Sequence, residues 1–488
     1  MLGVVLSVGA FLRLWNLGFS NFQGDEVKAL FPTDGDVDLQ EFLFDQRKGP
    51  LQFLVTFGVH LVDPQYSSEF AARLPFALAA TASIWFFYRF VQMHFGWEVS
   101  IVATLLYATN GMVVGLSRIV QYQSLVLLFV CMALYYFSLA VSEERWKFRG
   151  VLLGSICWAA GVLAHYDALL ILPFVLYLVV AYYRRYRDLK PAVVPAAIFA
   201  VSVAAFYIPF ALSISDSTKG YWSNRLTGGE DKISSSIYLF EVYNPLYVLP
   251  LYALLGALGI AALLDALARR HEPLLHAALV LWISGVVIFF EVVVNLPGTH
   301  IFNYLLPLMI LMGLGVKWAV ELLQLRALQA TAGTAVVVAG MFLAVQSYAL
   351  FVENRQAYPW APERVLGMDV PPVKIDRYHT SLFGFPYDGG WRAIKDHLDQ
   401  RDADPQESFR TNDKGSIAEF YMARYDESDD NLGYYIHVRH PQSFNPNQVA
   451  GRAAAWARAH RPEFTVRRHG EIVAELYAVP ERWGRGPS

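Results

Sequence analysis

The chain has 488 residues, of which 55% are hydrophobic and only 17% charged, with a formal net charge of −3. A soluble chain of this size carries about 25% charged residues, and the absence of a basic excess excludes a general nucleic-acid binder. Mean hydropathy is +0.34, and the apolar residues are concentrated before about Val352. The averages therefore cover a membrane part and a polar tail. No CxxC, HExxH or GxxxxGK[ST] pattern occurs, so zinc-protease and P-loop readings lose their usual support. The two cysteines, Cys131 and Cys157, lie inside apolar runs and read as small buried hydrophobes.

A spanning helix needs about 20 mostly apolar residues. Eleven runs meet that rule: Leu2–Phe19, Leu74–His94, Ser100–Gly115, Val120–Val141, Val151–Ala164, Ala168–Tyr183, Pro191–Ser213, Tyr247–Leu267, Leu274–Val294, Phe302–Leu322 and Ala330–Phe351. The fifth and sixth are short and joined tightly at His165–Asp167, so a re-entrant pair is the alternative there. Aromatic residues such as Trp15, Trp85, Tyr182, Trp282 and Trp318 stand near run ends, where amphipathic rings anchor at the interface. Gly111 and Gly115 have helix-packing spacing, best read as internal packing.

Basic residues in short loops set orientation. Arg145, Lys147 and Arg149 share one loop, and Arg184, Arg185, Arg187 and Lys190 another. Arg269 and Arg270 mark a third, with Lys317 and Arg326 near a fourth. With eleven spans all four fall on one side, expected to be the cytoplasm. The N-terminus is then cytoplasmic and the tail extracytoplasmic. The first run lacks the preceding basic residues and cleavage site of a signal peptide, and is expected to be retained.

This divides the chain into a membrane domain, residues 1–352 with an outward loop at 20–72, and an extracytoplasmic α/β domain, residues 353–488. Within the loop, Leu51–Val62 is patchily amphipathic. Within the tail, Gly390–Leu398 and Val449–Ala459 read as helices, and Tyr434–Val438 and Ile472–Val479 alternate like strands.

The sharpest chemical signal is Gly24-Asp25-Glu26, just after the first span. Adjacent carboxylates at a membrane surface do not serve packing, although a solvated loop can hold them without a role. The same loop carries Lys48-Gly49-Pro50-Leu51, then Glu69, then Arg73-Leu74-Pro75 at the mouth of the second span. Carboxylates suited to proton transfer and cations suited to phosphate are thus gathered in one outward loop. Arg73 can also be read as an interfacial anchor. Arg118 lies between two spans on the outer side, where positive charge is not the rule. Arg13, inside the first span, reads as structural. His165, Asp167 and His300 lie at outer turns and can line the same cavity. His165, Asp167 and Glu26 are one candidate metal set, though no spacing requires it. The loop Asp216–Glu241 reads either as a cover over the acceptor or as a plain connection.

The run Phe11-Leu12-Arg13-Leu14, Asp25-Glu26, Lys48-Gly49-Pro50-Leu51 and Glu69 to Arg73-Leu74-Pro75 resembles the start of GT-C glycosyltransferases. The group it looks most like is the protein O-mannosyltransferases (glycosyltransferase family 39) and their bacterial relative, the lipid A aminoarabinose transferase. Ser117-Arg118 and His300 to Tyr304-Leu305-Leu306-Pro307 also resemble landmarks of that family. The likeness covers about Leu2 to Leu322. Gln123 stands where O-mannosyltransferases have an Asp, and Lys48-Gly49-Pro50 where they have His-Pro-Pro. Both departures favour a bacterial-type relative with another acceptor, and the tail does not look like the eukaryotic β-trefoil.

The resemblance implies a GT-C fold, a polyprenyl-phosphate-linked sugar donor and an inverting transfer to an extracytoplasmic lipid, glycan or protein. It implies Asp25 as catalytic base, with Glu26 orienting the acceptor or holding a metal. Arg73 is the first choice for the donor phosphate, followed by Lys48 and Arg118. His165, Asp167, His300, Tyr304 and Glu69 are expected to line the cavity or bind acceptor. The sequence requires no cofactor and leaves room for a divalent metal. The expected partners are the lipid-linked donor, the acceptor and membrane lipids, without nucleic acid, in a bacterial inner membrane. Two rivals belong to other classes: a transporter or flippase for lipid-linked sugars, and a non-catalytic scaffold that binds them. No internal repeat supports the first, and the intact Asp25-Glu26 pair argues against the second.

Overall fold

The computed structural model describes residues 1–33, 37–227, 232–294, 298–355, 358–373, 383–401, 403–404, 406–428, 431–442 and 452–480, the side chains of 227 and 232–235 excepted. Among the described residues, nine helices are long and apolar enough to cross a membrane, and the shorter apolar helix Leu2–Leu14 stands beside them. The eleven expected spans fall on these ten helices. The longest, Glu69–Thr109, holds two of them and is broken at Gly96, where φ is 86° and ψ 173°. Glycine takes that conformation without a side-chain clash, so one helix can end and the next begin there.

The fifth and sixth spans are each long enough to cross, at Glu144–Ala164 and Tyr166–Tyr186. Short 3₁₀ turns, Glu144–Trp146 and Tyr166–Ile171, lengthen both beyond their apolar runs.

Tyr122–Ser142 packs against Glu69–Thr109 and Lys147–Ala164, and Leu305–Glu321 packs against Val248–Ala268 and Glu69–Thr109. These contacts build the bundle. Lys190–Ser213 buries only Pro195 and Phe210, which leaves apolar faces of the kind lipid covers. Helix starts follow their capping residues. Ser68 accepts the N–H of Ala71, and Asn110 accepts those of Met112 and Val113. Gly111 and Gly115 do serve internal packing. An added Cβ would collide with Tyr243 at the first and would lie 2.8 Å from the Phe351 ring at the second. Cys131 and Cys157 are buried and form no disulfide. Arg13 is fully buried and donates to the carbonyls of Gly9 and Ala108, joining the first helix to the third span.

The tail carries a two-stranded hairpin, β1 (Glu363–Val365) and β2 (Met368–Val370), and a four-stranded sheet. Strands β3 (Ser408–Thr411), β4 (Leu432–Val438), β5 (Phe464–Arg468) and β6 (Glu471–Ala478) lie in the order β3-β4-β6-β5. The β3–β4 pair is parallel and the others antiparallel, with Ile436 opposite Leu476. The two expected strands fall in β4 and β6. The expected helix at Gly390–Leu398 is found at Trp391–Gln400, which buries Trp391, Ile394 and Leu398. The other is described at Arg452–Ala457, and its expected start at Val449 lies outside the described residues.

The tail is hydrogen-bonded to the start of the loop at residues 20–72. Asn21 donates its N–H to the Tyr387 carbonyl and accepts from the Gly389 N–H. Phe22 donates to the Tyr421 hydroxyl, Gln23 bonds Phe385 and Gly384, and the Gly24 N–H donates to Gln442. Residues of the tail therefore fix the four positions that precede Asp25.

Candidate active site around Asp25

Asp25 lies in the short helix Gly24–Val27, whose start is closed by Glu26 accepting the Gln23 N–H. Asp25 itself is half-buried, while Glu26 is fully buried. The two neighbours therefore do different work. Glu26 Oε1 accepts from Arg73 Nε at 2.8 Å and from the Val120 N–H at 2.8 Å. Its Oε2 accepts from Arg73 Nη2 at 2.7 Å. The remaining Arg73 donors go to the carbonyls of Leu17, Ser20 and Asn21 and to the Ser20 hydroxyl. All five N–H groups of the guanidinium thus have acceptors, which leaves none for a phosphate.

Three residues expected at the donor or acceptor have protein partners in the structure. Arg73 and Glu26 are buried against one another, each engaged by the other and by neighbouring backbone groups. Arg118 donates to the carbonyls of Leu12 and Asn16 at 2.9 and 3.1 Å, closing the C-terminal end of the first helix. Burial, and then the neighbouring charges of Arg73 and Arg13, push its pKa down to about 9.

Glu69 is bonded to residues of the tail. Its Oε1 accepts from Arg392 Nε at 2.9 Å and from the Tyr421 hydroxyl at 2.7 Å, so it ties the membrane bundle to the tail. Tyr304 donates to Glu291 at 2.7 Å and packs edge-on against Phe290, one ring away from His300.

Two lysines act on Asp25, and two further cations act on those lysines. Lys48 and Lys414 both interact electrostatically with Asp25, and Lys28 interacts with both lysines. Arg225, from the helix Asp216–Thr227, interacts with Lys48. Burial depresses the pKa of Lys48, and the charges of Arg225 and Lys28 depress it further, against the stabilising field of Asp25. Lys414 is depressed first by burial too. It lies directly over Gly24, where an added Cβ would meet its Nζ at 2.5 Å. Lys28, Arg225 and Lys414 were missed in the sequence. Only their charge on outer segments was visible there, and Lys414 is nearly 400 positions from Asp25.

Lys48 is placed by its glycine. A Cβ at Gly49 would meet the carbonyl carbon of Leu163 at 2.6 Å, so the Lys48-Gly49-Pro50 turn can lie against the end of the fifth span. There Lys48 Nζ bonds Gln121 at 3.4 Å and stands 4.9 Å over the Tyr122 ring. Tyr122 stacks on His165 with centroids 4.1 Å apart. His165 Nδ1 is 3.0 Å from one Asp167 oxygen, and His300 Nδ1 is 2.7 Å from the other. Asn303 donates to the second oxygen at 2.9 Å. The structure thus joins Lys48, His165, Asp167 and His300 through Tyr122. Among the described residues, His165, Asp167 and His300 form a set within reach of one another that could hold a metal ion, with His300 in the place expected for Glu26.

The loop expected as a cover is two helices, Asp216–Thr227 and Lys232–Tyr243. The first rests on the loop at residues 20–72 through Arg47, which bonds Ser217 at 3.3 Å and stands 4.5 Å over Tyr221.

The bundle, the loop at residues 20–72 and the small sheet domain make this a polytopic membrane protein, and its fold is that of solved GT-C structures. Residues 50–209 match the family model described as dolichyl-phosphate-mannose-protein mannosyltransferase, and the chain resembles that group. Among solved structures it is similar to ArnT from Cupriavidus metallidurans bound to undecaprenyl phosphate, with 14% identity, 97% of each chain covered and a TM-score of 0.52. The apo form of the same protein gives 12% identity, the same coverage and a TM-score of 0.53. AglB from Archaeoglobus fulgidus, in complex with an inhibitory peptide and a dolichol-phosphate, matches at 11% identity over 90% of this chain and 69% of its own, with a TM-score of 0.48. No curated protein sequence matches.

Proposed function

We propose that this chain is an inverting glycosyltransferase that moves a sugar from a polyprenyl-phosphate donor to an acceptor at the outer face of a bacterial inner membrane. The observation that carries the reading is the setting of Asp25. It is a half-buried carboxylate faced by Lys48 and Lys414, with Lys28 and Arg225 beyond. Transfer from a phosphate ester needs those two functions side by side. As the bond to phosphate breaks, the anomeric carbon becomes cation-like and the phosphate gains charge. Fixed cations stabilise that charge. The attacking hydroxyl must give up its proton, and a positioned carboxylate taking it typically contributes 10²–10⁴-fold.

In this reading Asp25 is the base. Lys48 is the principal phosphate ligand, held in place by Gln121, Tyr122 and Gly49. Arg225 and Lys28 add to the field on the donor, and Lys414 brings the tail into the same site. The tail and the outward loop then lie on the extracytoplasmic side, as the basic loops suggest. The domain division at about residue 352 is part of the same proposal, and so is an acceptor drawn from lipids, glycans or proteins.

The test is transfer from a panel of polyprenyl-phosphate sugars to extracted envelope acceptors in proteoliposomes. Transfer of one sugar with inverted anomeric configuration is expected. Movement of the lipid-linked sugar across the bilayer without any transfer would favour a flippase instead.

A further inference from the structure

We propose that His165, Asp167 and His300 form a binding site for a divalent transition metal beneath the stack that carries Lys48. The three side chains are all buried, and each offers one ligand atom within 4.8 Å of the others. They come from separate elements, the turn between the fifth and sixth spans and the 3₁₀ segment Gly298–Tyr304. Two imidazoles and a carboxylate form a donor set suited to zinc, manganese or cobalt.

One feature of the geometry favours a cation over a plain hydrogen-bonded triad. His165 Nδ1 accepts the Asp167 N–H at 3.2 Å, which requires an unprotonated nitrogen. The same atom lies 3.0 Å from an Asp167 carboxylate oxygen. With Nδ1 unprotonated, a lone pair faces a carboxylate. With Nδ1 protonated, it opposes the amide N–H. A cation between the nitrogen and the carboxylate would take the nitrogen lone pair in place of the amide N–H and remove the repulsion, and His300 Nδ1, 2.7 Å from the other oxygen, is the third group within reach.

The surroundings match what metal ligands need. Ligating groups are held by outer partners that fix their orientation. Asn303 donates to Asp167 and to the His300 carbonyl. The Tyr122 hydroxyl lies 3.3 Å from His300 Nδ1 and 3.4 Å from its Nε2, and the Tyr122 ring covers His165. Three protein ligands leave a coordination position open, as in catalytic rather than closed structural sites. The ion would brace Tyr122 and, through it, Lys48. This inference does not depend on the proposed transfer reaction, because its test reads metal content and stability.

The full chain, purified through a tag without histidine, is stripped with EDTA and reloaded separately with Zn²⁺, Mn²⁺ or Co²⁺. The expected result is about one ion per chain for at least one of the three, with a melting temperature raised on reloading and lowered again by EDTA. Asp167→Asn and His300→Gln are expected to lose the ion and the shift, while Asp25→Asn keeps both. Cobalt is expected to give the visible bands of a nitrogen–oxygen site. If the wild-type chain retains less than about a tenth of an ion with every metal and its melting temperature does not move, the site is a hydrogen-bonded triad and the proposal fails. That comparison needs no variant to fold.

Discussion

Arg73 and Glu26 form a buried, two-pronged ion pair, with Nε to Oε1 at 2.8 Å and Nη2 to Oε2 at 2.7 Å. Glu26 also holds the Val120 N–H, and Arg73 holds three carbonyls of the segment before it. The pair therefore fastens the loop at residues 20–72, the second span and the loop before the fourth span around one point. Asp25 is the next residue along the chain, and its position is a consequence of this knot.

Breaking the pair from either side leaves a buried charge without its partner, which costs about 3–5 kcal/mol. Arg73→Met and Glu26→Gln are each expected to lower the melting temperature and the yield of folded protein in detergent. Transfer activity is expected to fall together with the folded fraction. A variant that keeps the wild-type melting curve but loses transfer would return Arg73 to the catalytic machinery.

Lys48 is expected to act as a cation at the phosphate. Lys48→Met should reduce kcat/KM on the order of 10²–10³-fold, as loss of a preorganised charge does. Lys414→Met should give a smaller loss, on the order of tenfold, because its charge is partly open to solvent and screened. Equal activity of Lys48→Met and wild type would remove Lys48 from the donor site.

The pH dependence follows from the burial of Lys48. Its pKa is lowered, so the ammonium is lost as pH rises through a value below that of an ordinary lysine. Transfer is expected to decline on the alkaline side at correspondingly low pH. Lys48→Arg should move that decline upward, since a guanidinium keeps its proton. An alkaline limb unmoved by the arginine variant would point to another group.

Asp413, beside Lys414, carries a second pH effect, on stability. Burial raises its pKa to about 7, while Tyr387, Trp391 and the Gln442 N–H all bond it. The folded state then binds a proton that the unfolded chain has already released, between about pH 4 and 7. Its contribution to stability is full below the unfolded value and is lost as pH rises through about 7. Asp413→Asn should flatten the dependence of the tail's melting on pH across this window, measured in the full chain by near-ultraviolet circular dichroism.

Much of the membrane architecture was readable because an apolar run of spanning length has few other uses. The break at Gly96 and the turns that lengthen the fifth and sixth spans were less visible, since they depend on local backbone geometry. At the site, Asp25, Lys48, His165, Asp167 and His300 were all singled out from the sequence. Arg73 and Glu26 were also singled out, but their pairing with each other was not. A guanidinium fork matched to phosphate is equally matched to a carboxylate, and their 47-residue separation hides the pairing. Lys414 and Arg225 gave no local signal, because their relation to Asp25 exists only after the tail and the helix Asp216–Thr227 have docked.

The most direct measurement is transfer by Asp25→Asn in proteoliposomes, with donor binding measured on the same preparation. The substitution keeps the size of the side chain and removes its capacity to take a proton. The expected result is a folded, inserted protein that binds the polyprenyl-phosphate sugar and transfers it at least about 10²-fold more slowly than wild type. Transfer at the wild-type rate would contradict the assignment of Asp25 as the base, and with it the central claim about this site.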